Sequence, residues 1–254
     1  MAETGAARRA AGRAETRARI LASARELIPG AEASLPVTAI AKHAGVAIQT
    51  IYDQFGSKGG LLIAVVNDVQ RSVGLFKEFR EVFDAPDGDV AMRRMIGATV
   101  SFWDRAWPYI EFVLRTRRVD KVVAREMEFV DRLRHAHFWA ITRRLEEEGR
   151  LRTGQTADTA ADRFFALTIP TIYEELVVVR RSSVEGAIDA VTTAVQAAII
   201  EPGSTAAPIA PPDWTALERD AATRAKEGGA DHERLSPEWL GAAGNLAPGR
   251  GGSS

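Results

Sequence analysis

A helix-turn-helix pattern between Val37 and Phe55 restricts the fold of this chain more than any other feature of its sequence. Ala41 is small enough to let a second helix cross closely. Gly45 can supply the positive φ of the turn, and Ile51 is placed to fill the interface between the helices. Three further apolar residues complete a small core (Ile40, Val46, Phe55). The pattern predicts a helical hairpin, which serves either packing alone or DNA binding.

The second helix of this hairpin is rich in amides and hydroxyls, which are poor choices for a buried helix but suit base edges and phosphates. Gln49 is expected to recognise adenine through two hydrogen bonds, a contact that contributes about 1–3 kcal/mol of discrimination. Ala47 or Ile48 is expected to meet a thymine methyl, and Lys58 to bind phosphate beside a helix N-terminus. The predicted DNA-contacting residues are Thr38, His43, Ala47, Ile48, Gln49, Thr50, Tyr52, Gln54 and Lys58.

Almost every other periodic stretch has the spacing of a helix, so we predict an all-α fold. The first helix, marked by Ile20, Ala24 and Leu27, is expected to end at Pro29-Gly30. Ser57 is expected to cap a helix that runs to Val73. Later helices are predicted to begin at Trp107-Pro108 and to span Asp120 to Glu148, Asp162 to Val179 and Ser183 to Ile200. The segment Asp162 to Val179 is apolar on more than one face, which predicts burial on two sides.

These elements predict four regions. They are a flexible basic arm (1–15), a three-helix DNA-binding head with the helix-turn-helix (16–73), a helical ligand-binding and dimerisation domain (74–201), and a mostly disordered tail rich in Pro, Gly and Ala (202–254). The tail contains two short helix-start patterns, at Trp214 and Trp239, whose role the sequence does not indicate.

Composition argues against several classes of protein. The chain has no cysteine and only four histidines, and His135 and His137 point to different sides of a helix, so we predict no metal site. Glu174 and Glu175 diverge on a helix and have no nucleophile beside them, so we predict no catalytic residues, no cofactor and no enzyme. No stretch is long and apolar enough for a membrane span, and the start lacks a secretory signal, so the cytoplasm is the expected location.

Charge is distributed unevenly along the chain. Residues 1–58 contain eight Lys and Arg against five Asp and Glu, a net charge of +3, whereas the remainder carries −4. The asymmetry is typical of a nucleic-acid module attached to a more acidic one. The arginines of the arm (Arg8, Arg9, Arg13, Arg17) are either a solvated tail or a DNA contact that follows the backbone or enters a minor groove.

A specific set of residues runs from Thr16 to Val73: Ile20-Leu21, Ala24, Glu26-Leu27, Val37, Ile40-Ala41, Ala44-Gly45-Val46, Thr50-Ile51-Tyr52, Phe55, and Ser57-Lys58 before Leu61-Leu62. Through these residues the segment resembles the DNA-binding domain of the TetR family. The resemblance implies a divergent helical ligand domain, a homodimer, a palindromic double-stranded DNA operator, and a repressor released by a small molecule.

Four positions depart from the family's usual pattern. Ala47 stands where Ser is common, Gln54 replaces a frequent His or Tyr, and Pro36 replaces a Ser or Thr cap. Asp53 adds a negative charge that phosphate should repel unless Arg or Lys offsets it. These departures prevent the operator sequence from being inferred from any relative.

Aromatic and sulfur side chains concentrate between Met92 and Tyr173, where most of them are expected to form core. Because ligand pockets are mainly apolar with a few polar groups, some should face a cavity. The candidates lie on inward stripes, among helices that the resemblance implicates: Trp103, Trp107, Phe112, Met127, Phe138 and Tyr173. Arg134 interrupts its stripe, either to bind an anionic ligand group or because the stripe drifts around the helix.

The sequence therefore predicts a ligand-responsive DNA-binding regulator, in the first place a repressor whose effector is a small and largely apolar molecule. The alternative is a helical enzyme or protein-interaction module that retains a helix-turn-helix-like head. Gly59-Gly60 leaves room for that alternative, because a glycine pair costs about 1–2 kcal/mol at a helix start and would disturb the position of Lys58.

Overall fold

The structure, a computed structural model, describes residues 2–31 and 35–205, together with 213, 216, 219, 220 and 223. Within these ranges the fold is all-α, as predicted, and an antiparallel bridge joins Leu151 to Ile200. None of the helices described is long and apolar enough to cross a membrane. The predicted disordered tail lies largely outside the described residues, and Trp214 and Trp239 lie outside them entirely.

The chain divides into two compact units. The first comprises Met1–Val73 and Arg105–Glu128, and the second comprises Gly74–Asp104 and Phe129–Ser254. The second unit begins at Gly74, and the division into a DNA-binding head and a ligand domain remains a prediction. Residues 105–128 were predicted to belong to the ligand domain, but by their packing they group with the head.

The part of the first unit that precedes residue 74 contains, in its described residues, four helices and a short turn. They are α1 (Ala2–Leu27), a 3₁₀ turn (Ile28–Gly30), α2 (Val37–Ala44), α3 (Ile48–Phe55) and α4 (Lys58–Ser72). Ile20, Ile40, Ile51, Leu61 and Val65 are at most 1% exposed and form its core. α1 ends just before Pro29-Gly30, as the sequence predicted. It begins at Ala2, however, so the flexible arm predicted for residues 1–15 is wrong. Residues 2–15 are helical, because this segment is rich in Ala, Arg and Glu, which have high helix propensity.

The next two helices are α5 (Leu75–Phe83) and α6 (Gly88–Thr116). α6 passes through Pro108, so the new helix predicted to start at Trp107-Pro108 is wrong. Proline in a helix interior removes one backbone hydrogen bond and costs ~3 kcal/mol or more. Buried side chains on both sides of it, Ala106 and Ile110 among them, offset that cost through packing.

The remaining helices are α7 (Lys121–Glu147), α8 (Ala157–Ala166), α9 (Pro170–Tyr173) and α10 (Val184–Ile199), with a π-helical segment (Glu174–Val179) directly after α9. α7 and α10 match their predicted spans to within one residue at each end. Gly149, at φ 67°, follows the end of α7 as predicted. The hydroxyl of Ser183 accepts from the Gly186 backbone N–H at 3.0 Å and caps α10.

The prediction of a single helix from Asp162 to Val179 is wrong, because the helix is interrupted before Pro170. Proline pushes the residue before it out of the helical region, and Ile169 is extended at φ −77° and ψ 151°. Thr168 is fully buried, and its hydroxyl donates a hydrogen bond to the Phe164 carbonyl at 2.7 Å. Tyr173 is buried, whereas Val179 is 61% exposed, so burial on two sides does not extend along the whole segment.

Candidate nucleic-acid interface

The hairpin of α2 and α3 has the geometry that its sequence requires. Gly45 lies in the left-handed region at φ 64° and ψ 39°, and the Val46 N–H donates to the Ala41 carbonyl at 3.0 Å. Ala41 is 3% exposed and Ile51 is fully buried. Pro36 is the N-cap of α2 and offers its carbonyl to the Ala39 N–H at 3.0 Å. The two helices are therefore held together by the small residue, the turn and the apolar plug.

One side of α3 is open to solvent. Ile48 and Tyr52 are each 41% exposed although they are large and apolar or aromatic, and Ala47 and Gln49 are exposed with them. On α2, Thr38 is exposed, and the exposed His43 lies with Nε2 3.4 Å from Glu26 Oε2. A short helix thus buries one side through Ile51 and presents amide, phenol and aliphatic groups on the other, the groups that recognise base edges.

Gln49 and Asp53 interact within α3. Gln49 Nε2 donates to Asp53 Oδ1 at 2.8 Å, one helical turn away. Two hydrogen bonds to adenine need one amide N–H and the amide oxygen, and this contact leaves both available because the amide nitrogen has two protons. Asp53, which the sequence marked only as a charge that phosphate repels, therefore orients the residue predicted to recognise a base.

Gln54 has partners within the protein. Its side-chain Nε2 donates to the backbone carbonyl of Arg13 at 3.4 Å. The backbone carbonyl of Gln54 accepts from Arg17 Nη1 at 3.2 Å. The Arg17 guanidinium also lies 4.4 Å from the centre of the Phe55 ring. The sequence predicted a DNA contact for Gln54, but the structure places its amide against α1, a pairing across 41 residues that no local signal indicates.

The start of α4 explains the glycine pair. Ser57 Oγ accepts from the Gly60 N–H at 2.9 Å and caps the helix, as predicted. A Cβ added to Gly60 would lie 2.2 Å from the Phe55 carbonyl oxygen, and one added to Gly59 would lie 2.8 Å from Val122 Cβ. Gly60 is therefore needed for the close approach of α4 to the Phe55 carbonyl, and Gly59 for its close approach to Val122. Lys58, the first residue of the helix, is half-buried beside them.

The residues predicted to bind a ligand divide between the units. Trp107, Phe112 and Met127 belong to the first unit, and Trp103, Phe138 and Tyr173 to the second. Trp103 and Tyr173 lie with ring centres 6.3 Å apart, and the Tyr173 hydroxyl donates to Asp104 Oδ1 at 2.9 Å. Burial, together with this hydrogen bond, raises the pKa of Tyr173. Phe138 stacks on Phe164 at 4.3 Å in the core.

Arg134 lies among the aromatic side chains of the second unit. Its guanidinium is 4.4 Å from the Phe165 ring centre and 5.8 Å from that of Trp103, and its Nη2 is 3.7 Å from Asp131 Oδ1. The side chain is 15% exposed. Arg134 therefore interrupts the apolar stripe because its guanidinium packs against aromatic rings, as in a cation–π interaction.

The second unit also contains a cleft of about 400 Å³, with charged side chains in its lining, that the sequence did not indicate. It lies along α5 and α6 and includes none of the six predicted ligand residues: its lining is Glu78, Glu81, Asp84, Arg94, Gly97, Ala98 and Ser101. Arg94 donates to the Glu81 carbonyl at 2.6 Å. Within the described ranges, no three side chains of the metal-binding types cluster.

Comparison with known proteins identifies the head. Residues 20–65 match the model of the bacterial regulatory proteins of the tetR family. No curated protein matches the chain. The resemblance stated from the sequence is thereby confirmed.

Solved structures of bacterial regulators share the fold of the whole helical region. A protein described as a transcriptional regulator from Saccharomonospora viridis, in complex with choline, is 20% identical with a TM-score of 0.60, covering 74% of this chain and 99% of its own. The complex of SmeT with triclosan is 21% identical with a TM-score of 0.58, covering 78% and 98%. A protein from Rhodococcus sp. described as a TetR-family regulator is 16% identical with a TM-score of 0.59, covering 72% and 98%.

Proposed function

We propose that this chain, which carries the tetR-family head on a helical body with the fold of that family's regulators, is a ligand-responsive DNA-binding repressor that acts in the cytoplasm. The observation that carries the proposal is the exposed side of α3. Ile48, Gln49 and Tyr52 project from a helix whose opposite side is anchored by the fully buried Ile51. Such a helix fits the major groove, where amides and methyl contacts discriminate between bases.

The predicted contacts have separate tasks. Gln49, oriented by Asp53, recognises a base, and Ile48 packs against a thymine methyl. Tyr52, Thr38 and Lys58 contact phosphates and position the helix without contributing sequence preference. Gln54 supports the end of α3 through its contact with α1, so its contribution to DNA binding is indirect.

The operator is proposed to be palindromic and bound by a homodimer. Half-buried apolar side chains are available for a symmetric interface along the π-helical segment and α10: Leu176, Val177, Val178, Val184 and Ile188. A two-fold interface uses the same patch of both copies, and it would set the spacing of two recognition helices to one turn of DNA.

The effector is proposed to be a small, largely apolar molecule. Related folds are known in complex with choline and with triclosan, which differ in charge and polarity. In this chain Trp103 and Tyr173 supply aromatic surface, and the Tyr173 hydroxyl and Arg134 supply polar groups beside it. Binding would favour a state whose recognition helices no longer match the operator. The glycine pair has a structural reason that does not depend on a helical enzyme or interaction module, since Gly60 lets α4 begin against the Phe55 carbonyl and Gly59 lets it approach Val122.

A gel-shift assay with DNA from directly upstream of the chain's own coding sequence tests the proposal. The wild-type protein should shift this DNA, and Gln49→Ala and Tyr52→Ala should each weaken the shift. Val119→Ala, at a position 86% exposed in the same unit, is the matched control and should bind as the wild type does. Absence of a shift at low salt would refute the proposal.

A further inference from the structure

α1 extends well beyond the core that holds it. The side chains of residues 7–15 are exposed, and deep burial on this helix begins only at Ile20. Arg13 is the first described residue of the helix with a contact to α3, so with a rise of about 1.5 Å per residue the part that precedes it projects roughly 16 Å. An extension of this length is not needed to complete the core of the first unit.

Arginines are arranged on one side of this extension. Arg9, Arg13 and Arg17 follow each other at intervals of four residues, so they share a side of the helix. Within the described residues, neither Arg9 nor Arg13 forms an ion pair with a carboxylate. Like charges at this spacing destabilise an isolated helix by a few tenths of a kcal/mol per pair, so the arrangement has a cost in the free protein.

The same side of α1 is attached to the recognition helix. Arg17 donates to the Gln54 carbonyl and stacks on Phe55, and Gln54 donates to the Arg13 carbonyl. These contacts involve the last turn of α3, so they set the direction of the extension relative to the helix that enters the groove. Arg9, one turn before Arg13 on the same side of α1, then lies further along the helix than the last contact with α3.

We propose that Arg9 and Arg13 form a second DNA-contacting surface, which follows the phosphate backbone outside the bases that α3 contacts. The proposal rests on the function proposed above. An α-helix with its side chains is about 10–12 Å across, whereas the minor groove is about 6 Å wide. A helical arm cannot enter that groove as an extended one can, so its arginines bind phosphates and contribute affinity that depends on salt and not on sequence.

A pair of double variants tests the surface. Arg9→Ala/Arg13→Ala removes two charges from the side that faces the end of α3, and Arg8→Ala/Arg19→Ala removes two from the other side of the same helix. The probe is a duplex selected by the wild-type protein from a random library, with flanking DNA retained. The slope of log affinity against log salt should flatten by about 0.9 for each phosphate that is no longer neutralised, close to two units per protomer for the first variant. The control should change by less than half as much.

A shortened duplex locates the contact. On DNA that ends at the bases protected by α3, Arg9→Ala/Arg13→Ala should bind as the wild type does. Replacing flanking A·T pairs with G·C should leave the effect of the substitutions unchanged. A loss of the effect with G·C flanks would show minor-groove recognition and overturn the proposal.

The helical state of the arm is tested at Gly12, where an added Cβ meets nothing within 4 Å. Gly12→Ala favours the helix and should preserve affinity and slope. Gly12→Pro interrupts the helix between Arg9 and Arg13, so it should flatten the slope by about one unit, the share of Arg9. Equal slopes for the two double variants, or wild-type behaviour of Gly12→Pro, would overturn this proposal alone. Failure of the wild type to bind any duplex at low salt would overturn the proposed function as well.

Discussion

Gly60→Ala should destabilise the head and weaken DNA binding, although alanine is the better helix former. The added Cβ would lie 2.2 Å from the Phe55 carbonyl oxygen, and ordinary contact begins at 3.4 Å, so a separation of 1.2 Å has to be gained. The atom in the way belongs to the backbone at the end of α3. It also accepts a hydrogen bond from the Ser57 N–H at 2.8 Å, so it cannot move without disturbing the cap of α4.

The magnitude follows from opposing contributions. Overpacking of this kind costs about 1–3 kcal/mol, and loss of the Ser57 hydrogen bond adds about 1 kcal/mol. Replacing glycine by alanine within a helix returns about 1 kcal/mol. We therefore expect a net destabilisation of about 1–3 kcal/mol, which corresponds to a decrease in Tm of several degrees for a chain of this size, at roughly 2–4 °C per kcal/mol.

Calorimetry and gel-shift assays measure the two consequences on the same samples. Gly12→Ala is the matched control, because it makes the same substitution in a helix of the same unit where nothing lies within 4 Å, and it should be neutral or stabilising. Gly60→Ala should also bind the operator more weakly, since α3 has to shift or tilt. A Gly60→Ala protein that unfolds at or above the wild-type Tm would refute the argument from close approach.

Three further predictions concern charge. Asp53→Ala should strengthen binding to random DNA, because it removes a negative charge. It should also lower the preference for the selected site by about 5- to 10-fold, which is part of the 1–3 kcal/mol of discrimination available to Gln49. Competition gel shifts measure both effects, and an unchanged preference would contradict the orienting role of Asp53. Lys58→Ala should flatten the log–log salt slope by about one unit while Lys77→Ala, in the second unit, leaves it unchanged; equal slopes remove Lys58 from the interface. Burial lowers the pKa of His137 to about 4 from 6.5, so the unfolded chain binds a proton first as pH falls. Stability should decrease between about pH 6.5 and 4, by up to ~1.4 kcal/mol per pH unit, and urea unfolding of His137→Phe, compared with the wild type at pH 7 and 5, should lack that component.

The parts of the fold that depend on neighbouring residues were predictable. Ala41, Gly45 and Ile51 specify the hairpin through small size, backbone freedom and apolar character at short spacing, and the structure places each where that chemistry requires. The spans of α7 and α10 followed from helical periodicity and from the signals at their ends, Gly149 and Ser183.

The errors arose where local signals compete. Pro108 by its local sequence predicts a helix start, but packing around it maintains a continuous α6. The apolar residues around Pro170 predict one long helix, but the proline interrupts it. The arginines before residue 16 were interpreted as a flexible arm, although the propensity of their neighbours favours the helix that forms.

Helical character and a helix-turn-helix with a polar outer side both follow from patterns a few residues long, so they can be predicted from the sequence. Which of the polar residues are available for DNA depends on how the helices pack. Gln54 is bound to the backbone of Arg13 and Gly60 is required by the Phe55 carbonyl, whereas Gln49 and Asp53 pair within α3 at a spacing that the helix itself allows. Hydrogen bonds and close approaches depend on positions within a few tenths of an ångström, and where the partner is distant in sequence, as Arg13 is from Gln54, those positions exist only once the helices have packed.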